Sequence, residues 1–262
     1  MKQLGFYISI VALLCSLHSC NFSLGDDADD DANDSLDVDS LGLEKLDLYE
    51  EAVIPESADE LFDDFLYSYI SNPKFNDERT IGGLEALDVN EEESFVVIYE
   101  REEDLELQKD TALTKVQMEK VVWDEEGLVR YEFDRSGGKW YLADVQNDDL
   151  SSTPNAGFYV FLHDFMTDSL YRSESVQIPL PVHFYSEEDD NTEHVSLGHE
   201  EWNEMYADLP ALTDYMININ YGQTLISSNR KSLLLKGLSN GLLIKFHFVF
   251  SDGRWMLTEV EA

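Results

Sequence analysis

One stretch of this chain occurs twice. Residues 131–146, YEFDRSGGKWYLADVQ, align without gaps on residues 246–261, FHFVFSDGRWMLTEVE. Phe133, Ser136, Gly138, Trp140, Leu142 and Val145 are identical to Phe248, Ser251, Gly253, Trp255, Leu257 and Val260. Each copy reads as a strand, a tight turn and a second strand, with glycine supplying the positive φ such a turn requires. A second matched pair lies upstream, residues 62–81 on residues 158–177. Phe62, Phe65, Leu66, Tyr69 and Ile70 fall on Phe158, Phe161, Leu162, Phe165 and Met166, and spacings of three and four place them on one helical face. Phe75 and Tyr171 match in the connection beyond. A helix and then a hairpin, both repeated, constrain the chain to a duplicated architecture.

The second hairpin lies further downstream of its helix than the first, so the second copy carries an insertion. Its candidates are the acidic stretch Glu187-Glu188-Asp189-Asp190 and the polar segment from His194 to Trp202. Strand-like runs fall at Ser94–Glu100 and Val116–Trp123 in copy one. In copy two they fall at Pro181–Tyr185, Gln223–Ser227 and Ser232–Lys236. Helix first, then an antiparallel meander, gives an α+β order. The polar joint Asp149–Pro154 divides a first unit, 59–150, from a second, 151–262.

The N-terminus is of another kind. Lys2 precedes an apolar run from Leu4 to Leu17, shorter than the ~20 residues a spanning helix needs, so residues 1–19 read as a signal peptide. The run ends Leu17-His18-Ser19-Cys20, which resembles the bacterial lipobox and implies cleavage before Cys20 and acylation of that cysteine. Cys15 is the other cysteine and leaves with the signal. The mature body then has no thiol, which excludes disulfides, thiolate nucleophiles and cysteine metal sites.

Asp26 to Asp39 holds eight aspartates and no base. Such a segment buries too little apolar surface to offset its ordering entropy, so residues 20–58 are expected to be a disordered acidic tether. Asp29, Asp31 and Asn33 fall on calcium-loop positions, but Asp34 replaces the turn glycine and Ser40 the closing glutamate, which favours a solvated linker. The acidic stretch also resembles the surface-export signal of Bacteroidetes lipoproteins. The whole chain has 55 acids against 17 bases, a net charge of −38. That surface repels nucleic acid and anionic headgroups, so no nucleic-acid partner is expected.

An aromatic-rich helix followed by a curved antiparallel sheet, closing on Gly138-Lys139-Trp140-Tyr141-Leu142 and again on Gly253-Arg254-Trp255-Met256-Leu257, resembles the nuclear transport factor 2-like superfamily. The chain from about residue 59 onward is similar to an uncharacterised family of Bacteroidetes lipoproteins. The resemblance implies two tandem cone-shaped domains, each a leading helix plus a curved antiparallel sheet. It further implies that such a pair satisfies within one chain the packing that relatives achieve as dimers, so a monomer is expected. Superfamily enzymes such as ketosteroid isomerases and scytalone dehydratases use Asp, His and Tyr inside the cone, where burial raises a carboxylate's pKa.

Candidates for such chemistry are scattered. Tyr69, Trp140, Phe165 and Trp255 are possible cavity-lining residues, with core packing the favoured reading of each. His163 flanks the second helix, and His247 faces opposite to Phe248 on its strand. Asp144 and Glu259 are matched acids on the closing strand, placed by alternation on the face of the Trp and Leu. His194 and His199 are five apart, whereas a zincin helix needs four. No phosphate loop, dinucleotide fingerprint or serine elbow occurs. No catalytic residue, metal site or cofactor is therefore expected. The reading is a cell-envelope lipoprotein anchored to the outer membrane through Cys20, non-enzymatic, binding a small molecule or an envelope protein. Its alternatives are a lyase or isomerase using an apolar cone cavity, and capture of cations or basic peptides by the acidic surface.

Overall fold

The computed structural model describes residues 61–89, 94–186, 191–210, 212, 214–226 and 228–262. The expected signal peptide (1–19), Cys20, the expected tether (20–58) and the acidic stretch Glu187-Glu188-Asp189-Asp190 lie outside these residues. Copy one begins with α1 (Phe62–Ser71) and α2 (Pro73–Arg79), followed by β1 (Ser94–Tyr99), a 3-10 helix (Glu102–Lys109), β2 (Lys115–Val122), β3 (Gly127–Ser136) and β4 (Lys139–Asp149). Copy two runs α3 (Ala156–Thr167), α4 (Ser169–Glu174), β5 (Leu180–Ser186), β6 (Asn191–Leu197), α5 (His199–Ala207), β7 (Tyr215–Asn220), β8 (Arg230–Gly237), β9 (Leu243–Ser251) and β10 (Arg254–Glu261). The class is α+β. The insertion of copy two is the β5–β6 hairpin with α5.

Each leading helix breaks at a matched position. Asn72 Oδ1 accepts from the amides of Lys74 and Phe75, with Pro73 opening α2. Asp168 Oδ1 accepts from Leu170 and Tyr171 at the head of α4. These side chains satisfy the orphan amides of a helix start, so a short second helix follows each time. It carries Phe75 into the core, whereas the sequence placed Phe75 in a connection.

Among the described residues, ten strands form one sheet in the order β4-β3-β2-β7-β1-β8-β9-β10-β5-β6. The first eight positions read the same from either end once copies one and two are interchanged. β1 and its counterpart β7 each sit in the other copy's half: β7 pairs antiparallel with β2, and β1 antiparallel with β8. β1 and β7 meet in parallel at Val96 and Asn218. Side chains complete that junction. Asn218 Oδ1 accepts from the Ile98 amide at 3.0 Å, and Gln223 Nε2 donates to the carbonyls of Ile98 and Ile219 at 3.1 Å. These bonds supply the partners that buried backbone groups require.

Because β1 lies mid-sheet, its alternating side chains serve two cores. Phe95, Val97 and Tyr99 join a cluster with Phe62, Phe65, Tyr69, Phe75, Phe133 and Trp140 under α1 and α2. Val96 and Ile98 join the cluster of Phe158, Phe161, Phe165, Phe248 and Trp202 on the opposite face, under α3 and α5. The copies therefore share one sheet and place their helices on opposite faces. The far half of each face is left without the other copy's leading helix. Gln223–Ile226 is not a strand; the sequence missed β7 and β6 and placed one there instead. Among the described residues no helix is long and apolar enough to cross a membrane.

Candidate functional site

Both interiors are occupied by rings. In the first, Phe62 lies edge-on to Phe133 and Trp140, with centroids 5.3 and 5.2 Å away. The Tyr69 hydroxyl lies 2.6 Å from Thr80 Oγ1, and burial pushes its pKa up. In the second, Phe248 is met edge-on by Phe158, Phe161 and Phe165 at 5.4, 5.5 and 5.8 Å, and Trp255 packs on Phe158 at 5.0 Å. The structure therefore brings Tyr69 and Trp140 together in one cluster and Phe165 and Trp255 in the other, each against neighbouring rings.

On the face that carries α1 and α2, the strands β9, β10, β5 and β6 extend beyond those helices and form an open groove of about 440 Å³. Its floor follows from alternation. Leu180 and Val182 of β5, Ile244 and Phe246 of β9, and Val260 of β10 point into the second core, so their neighbours point out. β5 gives His183 and Tyr185, β6 gives His194, β9 gives Leu243 and Lys245, and β10 gives Glu259 and Glu261. Tyr185 and Leu243 are each 58% exposed, which leaves apolar surface at the groove's rim.

Glu259 reaches the groove through a register shift. A bulge between Leu257 and Glu259 adds one residue and turns the acid away from the core. The same irregularity occurs beside Asp144, between Leu142 and Asp144 on β4. Simple alternation had put both acids on the Trp and Leu face; the bulge corrects that in both copies. Asp144 accepts from the Val145 amide and from Gln146 Nε2.

The groove's charges are paired. His183 Nε2 lies 2.9 Å from Glu259 Oε1, and His183 Nδ1 meets His194 Nδ1 across the β5–β6 pair. Lys245 Nζ is 2.8 Å from Glu261 Oε2 and 3.7 Å from Glu102 Oε2. His247 spans Ser232 Oγ at 2.8 Å and Glu261 Oε1 at 3.1 Å. Burial disfavours the Glu261 charge, but Lys245 and His247 outweigh it and hold the carboxyl below its usual range. Burial opposes the Lys245 charge as well, and Glu261 and Glu102 raise its pKa overall. Behind them, burial and the nearby Glu102 carboxylate push the Tyr99 phenol up. A general base at neutral pH needs a carboxyl raised toward neutrality, and Glu261 is shifted the other way. The arrangement suits recognition: imidazole, ammonium and carboxylate groups held in fixed places beside two apolar patches.

His194 and His199 do not act together. His199 opens α5 with Nδ1 3.4 Å from Ser173 Oγ, while His194 pairs with His183. The sequence does not single out His183, because its partner strand β6, NTEHVSL, has the composition of a loop. His163 lies beside the Trp123 ring at 5.1 Å, away from the groove. Among the described residues no group of three His, Cys, Asp or Glu side chains is arranged to hold a metal ion.

The family model described as "Domain of unknown function (DUF4348)" matches residues 89–262. The crystal structure of an NTF2-like protein from Bacteroides fragilis NCTC 9343 is 30% identical, covers 80% of this chain and 98% of that chain, and superposes with a TM-score of 0.68. No curated protein matches the chain.

Proposed function

Since this chain belongs to the DUF4348 family, whose description carries no activity, its role has to come from its own site, and we propose a lipid-anchored, non-enzymatic binding protein of the cell envelope. The observation that carries the binding reading is the contrast, among the described residues, between two ring-packed interiors and the open, charge-patterned groove on β5, β6, β9 and β10. Residues 59–150 and 151–262 are two cone-like units joined through β1 and β7, which supports a monomer. Residues 20–58 are the tether that holds the groove away from an outer-membrane anchor at Cys20. The ligand is a small polar molecule, or a polar segment of an envelope protein, able to meet imidazole and carboxylate groups at once.

The anchor is tested on protein purified from its own cells. Intact-mass measurement should show a chain starting at Cys20 and carrying acyl mass, found with the outer membrane. Cys20→Ala should lose that mass and move to the soluble fraction. A Cys20→Ala chain that still fractionates with membranes would overturn the anchor.

A further inference from the structure

We propose that His183 and His194 form a two-imidazole chelate for a divalent transition-metal ion, Cu²⁺ or Zn²⁺, with water completing the coordination. The two residues are direct partners across β5 and β6, and their ring centroids lie 4.5 Å apart. Their Nδ1 atoms face one another. Glu259 fixes what His183 presents there. A carboxylate only accepts, so the neutral His183 ring carries its proton on Nε2, 2.9 Å from Glu259 Oε1, and leaves its lone pair on Nδ1. Without an ion, that lone pair needs an Nδ1–H from His194. With an ion, His194 takes its other tautomer, its proton moving from Nδ1 to the Nε2 side of the ring, and both Nδ1 lone pairs turn onto the metal with a small rotation of the exposed His194 ring.

The surroundings agree with this use. A carboxylate behind a ligating imidazole fixes the tautomer and raises the ligand's basicity, and Glu259 stands in that place. Imidazole donors suit copper and zinc, with copper the tighter of the two. The His183 side chain is 26% exposed, so an ion can enter from the groove. A chain of net charge −38 concentrates cations at its surface. Two protein donors leave several coordination positions to water, and a groove ligand with its own oxygen or nitrogen donor can replace that water. The inference deepens the groove reading, on which it rests for the use made of the ion but not for the binding.

The test uses the full chain, with Zn²⁺ followed by calorimetry and Cu²⁺ by electron paramagnetic resonance. The wild type should bind one more ion than His194→Ala, or bind that ion at least about tenfold more tightly. The copper spectrum should lose one nitrogen donor in the variant. Glu259→Gln should keep the site and weaken it by about 10–100-fold. Cys20 and the aspartates of the tether are common to all these chains and cancel in the comparison. His194 lies on an exposed edge strand, and His194→Gln, which keeps polarity without the imidazole, guards against a folding artefact. Equal ion number and affinity in the wild type and both His194 variants would overturn the chelate. The groove reading fails differently, on an enclosed cavity in either aromatic interior, so the two failures can be told apart.

Discussion

Phe65→Ala is expected to remove about 3–5 kcal/mol of folding stability, a large share of the roughly 5–15 kcal/mol that holds a domain together. Phe65 is 1% exposed. Its ring touches Phe62, Tyr69, Phe75 and Phe133, with centroids 5.7, 5.4, 5.9 and 5.7 Å away. Truncation loses the transfer energy of the ring and leaves a hole that neighbours on α1, α2 and β3 cannot close without moving. Were the ring the wall of an existing cavity, few contacts would be lost on one side and the cost would be far smaller. Urea unfolding monitored by circular dichroism measures the difference. A loss under about 1 kcal/mol would mean that the first interior is open rather than filled. Phe161→Ala, at the matched position of α3, should behave alike.

Lys231→Met is the second large effect. Lys231 Nζ lies 3.0 Å from Glu100 Oε1, and the two side chains are 7% and 1% exposed. Lys231 also donates to Asn155 Oδ1 at 3.2 Å, tying β8 to the head of α3. Glu100 Oε2 accepts from the amides of Ile226 and Ser228, both at 3.1 Å. Removing the lysine leaves a buried carboxylate without its cation, which should cost about 3–5 kcal/mol. Removing both charges, in Lys231→Met with Glu100→Gln, should cost less than the sum of the single changes, and the difference gives the coupling.

The same pair sets a pH signature. Burial disfavours the Glu100 charge, but Lys231 and the two amides outweigh it and hold the carboxyl below its ordinary range. A folded pKa below the unfolded one stabilises the protein above the unfolded value and loses that contribution as pH falls through the folded value. The wild type should therefore weaken in acid. In Lys231→Met the carboxyl has lost the cation that held it ionised, so protonation relieves it and the gap to the wild type narrows as pH falls. A gap that stays constant from pH 7 to pH 4 would contradict this assignment.

Local signals in the sequence were faithful where the structure is local. The repeated hairpins turn where the glycines are: Gly137 and Gly138 have φ of 60° and 80°, and Asp252 and Gly253 have 52° and 83°. The helix stripe from Phe62 to Tyr69 and its match from Phe158 to Phe165 point into cores as their spacing requires. β7 was missed because its side chains are buried on both faces at mid-sheet, so Met216 to Ile219 shows no polar alternation, and Asn218 interrupts what apolar run there is. β6 was missed for the opposite reason. It is an exposed edge strand, and Asn191-Thr192-Glu193-His194 has the composition of a loop. The groove depended on the missed β6 and on the bulge before Glu259. A non-local pairing such as His183 with His194 leaves no trace in residue spacing; only the strand register brings them together.

The proposed binding site is the open groove, with both interiors packed by rings. Xenon-pressurised crystals test this most directly, because xenon enters enclosed apolar cavities. The wild type should show no xenon enclosed by the rings around Phe62 and Phe133 or by those around Phe158 and Phe248, while Phe65→Ala should gain a bound atom in the first cluster. Xenon enclosed in either ring cluster of the wild type would contradict the account and return the cones to the place where a ligand is bound.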